Sequence, residues 1–230
     1  MDCVYPLGKG SILKNFELRM SLRSIEKHLT GFNKVWIIGE RPDWLQNIEH
    51  VPFNESPTAD SDYNIMMKVT KACDTPEVSN DFLFMNDDHY LLATFNTANF
   101  PSYYQGTLSE YLKKRGLDAY GRRAKATMDH LMLRDLPIKY FDIHTPIVYN
   151  KELFKKYVSS LNWKDKTYII KSLYANIVQS EGAPMIDNKH NRPPLQNETI
   201  FSTTPHMRAS VTRALTERFP NKSRYERTDM

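Results

Sequence analysis

The sequence predicts an α/β fold, a mostly parallel sheet flanked by helices, and three observations point to it. Short apolar runs stand at residues 3–7 (CVYPL), 34–38 (KVWII) and 82–85 (FLFM). Stretches with the 3.6-residue apolar period of an amphipathic helix lie between them. The runs are apolar almost throughout rather than alternating, as strands covered on both faces require.

Each element follows in order. Gly8, Lys9, Gly10 and Ser11 have turn composition and end the first strand. Leu18, Leu22, Ile25 and Leu29 then fall on one face, which predicts a helix over residues 15–29 with Gly31 as its stop. The strand at 34–38 closes a β-α-β unit of the usual size. Residues 48–53 (IEHVPF) read as another strand. Residues 61–73 read as a helix with Ser61 as N-cap and Ile65, Val69 and Ala72 on its buried face. The FLFM strand comes next. The second half reads as helical, with helices over 108–115, 122–134, 151–161, 167–178 and 207–219. Residues 180–198 are polar, contain three prolines and read as a long loop. We expect one α/β domain over residues 1–220 with a helical insertion at about 105–180, and a charged tail at 221–230 that frays.

Composition narrows the class. The chain has 230 residues, 40% of them hydrophobic and 12% aromatic, enough for a core of its own. No apolar run approaches the ~20 residues a bilayer crossing needs, so no membrane span is expected. The start, MDCVYPLGKG, lacks the basic and apolar regions of a secretory signal. Cys3 and Cys73 are too few for a disulfide framework, and a cytoplasmic location is expected. A net charge of +4 suits an enzyme for diphosphate-linked substrates as well as a nucleic-acid binder, and excludes neither.

The chemistry starts at Asn86, Asp87 and Asp88, directly after FLFM. Adjacent carboxylates repel each other and resist losing water. They are either hard oxygen ligands for Mg²⁺ or Mn²⁺, or an Asn/Asp turn open to solvent. Gly8, Lys9, Gly10 and Ser11 present backbone N–H groups and an ammonium to a diphosphate, or form an ordinary tight turn. Arg19 and Arg23, four apart, share a helix face and fork onto phosphate oxygens, or pair with Glu17 or Glu26. His144 is a general base, a phosphate contact or a structural histidine. Lys171 and Asn176 are donor contacts or an exposed polar stripe. The basic stretch at residues 113–125, with Tyr111 and Tyr120 nearby, is a nucleic-acid contact or a solvated helix face.

Taken in order, several segments resemble the Stealth family of sugar-phosphate transferases. They are DCVYPLGKGS at 2–11, ELRMSLRSIEKH at 17–28, KVWIIGERPDWL at 34–45, FLFMNDDHYLL at 82–92, HTPIVYNKELFKK at 144–156 and FPNKSRYE at 219–226. The resemblance implies a glycosyltransferase A-like fold, a nucleotide-sugar donor and a divalent cation. By matching positions, Asp2 and the loop from Gly8 to Ser11 lie by the donor, with Arg19 and Arg23 supporting its phosphates. Asp87 and Asp88 hold the cation, and His144 acts near the transferred group, so Asp88 and His144 are the catalytic candidates. Ile12 stands where the family has an aspartate, Lys171 where it has an arginine, and Ser202, Thr203 and Thr204 where it has an asparagine–aspartate pair. The expected function is metal-dependent transfer of a glycosyl or sugar-phosphate group from a nucleotide sugar to an acceptor hydroxyl, on a glycan or a modified DNA base. The alternative, of another class, is a non-catalytic module that binds nucleic acid or glycan.

Overall fold

The structure, a computed structural model, describes residues 1–9, 11–163 and 167–227. The chain begins with β1 (Asp2–Leu7), α1 (Phe16–His28), β2 (Leu29–Thr30) and β3 (Val35–Gly39). β4 (Glu49–Val51), α2 (Ser61–Asp74) and β5 (Asp81–Phe84) follow. Three short strands, β6 (His89–Leu91), β7 (Phe95–Asn96) and β8 (Tyr103–Tyr104), precede α3 (Leu108–Arg115) and α4 (Ala119–Met132). β9 (Ile147–Asn150) runs into α5 (Lys151–Phe154), a π-helical turn at Lys155–Ser159, and α6 (Ile170–Ile177). β10 (Ala183–Pro184), β11 (Lys189–His190), β12 (Ile200–Thr203) and α7 (Ala209–Arg218) complete the elements.

The main sheet has the order β4-β3-β1-β5-β9. Its first four strands are parallel and β9 is antiparallel to β5. The period of two along each strand sorts its side chains into two cores. Val4, Trp36, Ile38, Phe82 and Phe84 face one, closed by α2, α4 and α6 through Val69, Leu131 and Leu173. Cys3, Tyr5, Leu7, Val35, Ile37 and Leu83 face the other, closed by α1 through Leu18, Leu22 and Ile25. Each large apolar side chain so buried contributes about 1.5–3 kcal/mol. This is why these runs read as apolar: β1, β3 and all of β5 after Asp81 are covered on both faces.

A smaller sheet, β11-β12-β6, lies over the outer side of α1. Met20 of α1 packs there with Tyr90, Phe201, Val211, Leu215 and Phe219. α1 is therefore buried on two sides, against the main sheet and against α7.

Several expectations change. α2 is capped by Asp60, whose carboxylate accepts from the Tyr63 amide at 2.8 Å, rather than by Ser61. The helix expected over 151–161 opens into the π-helical turn after Phe154. The loop at 180–198 supplies two short strands, because β10 pairs with β8 and β11 with β12. The tail does not fray through residue 226: Ser223, Tyr225 and Glu226 are buried. Tyr225 joins the core beside Trp44 and Leu45, and its carbonyl accepts from the Gln46 amide at 3.0 Å. Among the described residues, no helix is long and apolar enough to cross a membrane.

Candidate functional site

From β1 the chain moves outward to β3 and β4 on one side, then crosses back from β4 through α2 to β5 on the other side of β1. At such a reversal, loops leaving neighbouring strands part and open a crevice beyond their carboxyl ends. A cleft of about 980 Å³ lies there. That is the upper end of the range for pockets that enclose small-molecule ligands.

Gly8, Lys9 and Ser11 line it after β1, Glu40 after β3, and Asn86, Asp87 and Asp88 after β5. The fourth wall is α2 with the loop after β4. Asn64 grips that loop by both amide atoms: Ser56 N donates to Oδ1 at 3.0 Å, and Nδ2 donates to the Ser56 carbonyl at 3.1 Å. One turn on, Lys68 is 1% exposed and its Nζ donates to Glu55 Oε1 at 2.5 Å. A Cβ on Gly8 would lie 2.8 Å from that same oxygen, so glycine there permits the close approach of Glu55. Gly39 is the stricter case, with φ +123° and a Cβ that would meet the Leu7 carbonyl at 2.0 Å.

Asn86–Asp88 is both a turn and an acidic site. His89 closes the turn, its amide donating to the Asn86 carbonyl at 3.2 Å while its Nδ1 accepts from the Asn86 amide at 3.2 Å. Burial pushes the His89 ring down to about 3, so it stays neutral. The two acids diverge. Burial, then the charges of Asp88 and Glu17, push Asp87 up to about 7. Burial opposes ionisation of Asp88 as well, but the Lys189 ammonium at 3.3 Å and the Ser202 hydroxyl at 3.0 Å help hold it below the usual carboxylate range. Neighbouring acids driven in opposite directions mark a site arranged for charge.

The donor set suits a hard divalent ion. Asp87, Asp88 and Glu17 line one cleft, and among the described residues no ion pair reaches Asp87. Among the described residues no cluster of three or more His, Cys, Asp or Glu closes around a metal on its own. Mg²⁺ and Mn²⁺ do not need one, since one or two carboxylates with water and substrate phosphates complete their shell. Asp87 and Asp88 fit that arrangement.

His144 stands beside this cleft rather than in its lining. Its Nδ1 lies 2.8 Å from Asp187 Oδ2, and its amide donates to Asp187 Oδ1 at 3.0 Å. When protonated, it favours the ionised form of Asp88. Buried Lys171 donates to the carbonyls of Ile143 and Thr145, the residues on either side of His144.

The structure thus brings Gly8, Lys9, Ser11, Asp87 and Asp88 together, with His144 and Lys171 adjoining. Gly10 lies outside the described residues. The other sequence candidates are elsewhere. Asp2 sits at the amino end of the sheet, accepting from Trp36 Nε1 at 2.9 Å and the Ser79 amide at 3.0 Å. Arg19 and Arg23 pair with Glu226 rather than with Glu17 or Glu26, and Arg19 also covers the Trp44 ring. Asn176 is buried and bonds both the amide and the carbonyl of Lys139. Glu17, Glu55, Asn64, Lys68, Asp187 and Lys189 were missed. Asn64 and Lys68 had a signal, their i,i+4 spacing on the helix face nearest the cleft. Asp187 and Lys189 had none, lying in a polar stretch without period.

Half of the six cations of the basic stretch are ion-paired within the fold. Arg115 pairs with Asp118 at 2.9 Å, Arg123 with Asp62 at 2.5 Å and Lys125 with Asp129 at 2.6 Å. Tyr111 stacks on Tyr140 with ring centres 4.3 Å apart.

No family model matches this sequence, and no curated protein matches it. Among solved structures, the chain is similar to the apo structure of WbbM, a bifunctional glycosyltransferase, with a TM-score of 0.49 and 12% identity. The match covers 95% of this chain and 44% of that one, so this chain spans less than half the length of its neighbour.

Proposed function

We propose that the protein is a metal-dependent transferase that moves a glycosyl or sugar-phosphate group from a nucleotide sugar to an acceptor hydroxyl. The observation that supports it most is the pair Asp87 and Asp88, held at the carboxyl end of β5 inside a cleft of about 980 Å³ with oppositely shifted acidities. The resemblance of its segments to the Stealth family points the same way. Asp87 and Asp88 would hold Mg²⁺ or Mn²⁺, which when bound supplies neutralising charge to a departing phosphate.

The chain's own residues do the rest. Lys9 and Lys189 present ammonium groups to a diphosphate. The former is 79% and the latter 28% exposed at the side chain, so both reach a ligand. Lys189 also keeps Asp88 ionised. Asn64 and Lys68 fix the loop after β4 that forms the far wall. His144 takes the proton of the acceptor hydroxyl, whose oxygen attacks either the anomeric carbon or the attached phosphorus. Two buried thiols, Cys3 and Cys73, suit a reducing compartment, and we place the protein in the cytoplasm on that ground. The basic stretch lends little weight to a nucleic-acid-binding role, since three of its cations, Arg115, Arg123 and Lys125, are paired within the fold.

Incubation with Mn²⁺ and a panel of nucleotide sugars tests the reading. It predicts nucleotide release that is lost in Asp88→Asn. Release from none of the donors would sink it. Mass analysis of the product for added phosphorus distinguishes the two bonds.

A further inference from the structure

We infer that Asp187 is a positioning residue that fixes the tautomer and aim of His144, making Nε2 the atom that receives the acceptor's proton. The inference rests on the transferase reading for its chemistry, but its geometry stands apart from the cleft.

Asp187 is where the inference begins. It lies just before β11, and its carboxylate accepts from the His144 amide at 3.0 Å and faces His144 Nδ1 at 2.8 and 3.1 Å. The Lys189 amide donates to it at 3.3 Å. Burial disfavours its charged form, but the hydrogen bonds it accepts from the His144 side chain and amide help outweigh this and bring Asp187 down to about 2. An ionised carboxylate only accepts, so the hydrogen between the two groups belongs to Nδ1. Whenever the ring holds a single proton, that proton is therefore on Nδ1 and the lone pair is on Nε2.

The ring is held from the backbone side as well. The Thr145 amide donates to the Ile143 carbonyl at 2.8 Å, which folds a tight turn with His144 at its centre. Lys171, 8% exposed, caps both carbonyls of that turn. The Asp142 carboxylate, one residue before the turn, accepts from the amides of Lys171 at 3.1 Å and Ser172 at 2.7 Å. The turn, the start of α6 and the Asp187 loop therefore form one rigid mount. The Asp187 loop is tied in turn to the rest of the molecule, since Asp187 N donates to Gln105 Oε1 at 3.0 Å. The His144 side chain nevertheless remains 32% exposed, which leaves the ring within reach of an incoming hydroxyl.

The step balances without any further reagent. The acceptor O–H breaks and its proton passes to Nε2, giving an imidazolium that Asp187 stabilises. The oxygen forms the new bond to carbon or phosphorus, and the nucleotide leaves with the electron pair of the bond that breaks. Since His144 and Asp187 lie outside the lining of the donor cleft while Lys189 joins the two places, the acceptor approaches from the β11 side of Asp88.

Two measurements decide the matter. The first needs no catalysis. Long-range ¹H–¹⁵N spectra, with His144 assigned by its disappearance in His144→Gln, report which ring nitrogen is protonated. With pH raised until the ring holds one proton, we expect that proton on Nδ1 in the wild type and a mixture of tautomers in Asp187→Asn. An Nε2-protonated ring in the wild type overturns the inference, whatever the variant does. The second uses UDP-glucose or whichever nucleotide sugar turns over, with Mn²⁺. Asp187→Asn should lower kcat about 10²-fold, the lower end of what a general base supplies. KM for the donor should stay at the wild-type value, and Asp187→Glu should restore part of the rate. An unchanged kcat, or a loss confined to KM, overturns the inference while leaving the transferase reading intact. If no donor turns over, that reading fails instead, and the spectra still decide the tautomer.

Discussion

Replacing Glu226 by alanine should unfold the protein at markedly lower temperature, although the residue lies far along the chain from the two arginines it pairs with. Its carboxylate receives Arg23 Nε at 2.7 Å and Nη2 at 2.8 Å, a two-pronged fork, and Arg19 Nη1 at 3.2 Å. The Ser223 amide and hydroxyl add two more donors at 2.9 and 3.2 Å. Removing one partner of a buried pair costs about 3–5 kcal/mol, mainly because the other is left unpaired. Here Glu226 is 0% exposed at the side chain, but Arg23 and Arg19 are 12% and 29% exposed and regain some water. The low end, about 3 kcal/mol, is therefore expected. For a chain of this size each kcal/mol moves Tm by about 2–4 °C, so Tm should fall by roughly 6–12 °C. The midpoint in urea should fall with an unchanged slope. The sign with pH follows from the same contacts. Burial opposes ionisation of Glu226, but the Arg23 hydrogen bond and the Ser223 amide outweigh it and depress the carboxyl below its usual value. The stabilisation is thus complete above the unfolded value of ~4.3 and is lost as pH falls below it. Wild type and variant should converge in acid. A drop of less than about 2 °C at neutral pH, corresponding to under ~1 kcal/mol, would refute the reasoning.

Gly39→Ala should cost several kcal/mol, of order 3, because the new methyl meets the Leu7 carbonyl at a φ that side chains avoid; urea melts check it. Lys68→Met should leave the fold intact but loosen the loop after β4, seen as faster proteolysis between residues 53 and 60 at a stability loss of about 1–2 kcal/mol. Unchanged proteolysis would mean that Lys68 does not hold that loop. Asp87→Asn should raise the Tm of the metal-free protein at pH 8 by removing one of the like charges around Asp88 and Glu17, while abolishing the further rise that Mn²⁺ gives the wild type. A Mn²⁺-dependent rise that persists in this variant would exclude Asp87 as a ligand.

What the sequence disclosed follows the range of the interactions involved. The strands at 3–7, 34–38 and 82–85 were legible because burial on both faces leaves a continuous apolar run. α1, α2 and α3 were legible from local period and capping. Asp60 instead of Ser61 as the cap is a one-residue ambiguity between two good capping types. The π-helical turn after Phe154 left no mark, since its residues have ordinary helical composition. The Asn-Asp-Asp turn could be placed at a strand end, but its dual role depended on His89 and on Ser202 from a strand 114 residues away. The spacing of Arg19 and Arg23 correctly put them on one face. It could not name Glu226, about 200 residues later, and the residue types alone suggested phosphate. Lys68 drew no reading from the sequence, because its burial depends on Glu55, thirteen residues earlier. Asp187 had neither period nor motif.

The fork between Arg23 and Glu226 spans 203 residues, and this sets an order on events at the ribosome. α1 is synthesised early and can settle on the first strands at once, yet its two guanidinium groups have no counter-charge until Glu226 emerges. Every nascent chain thus passes through an interval in which the helix is in place but its outer edge is open and cationic. Non-local closures of this kind slow folding and expose surface to the wrong partners. A pause introduced late in translation should therefore harm yield more than the same pause placed early.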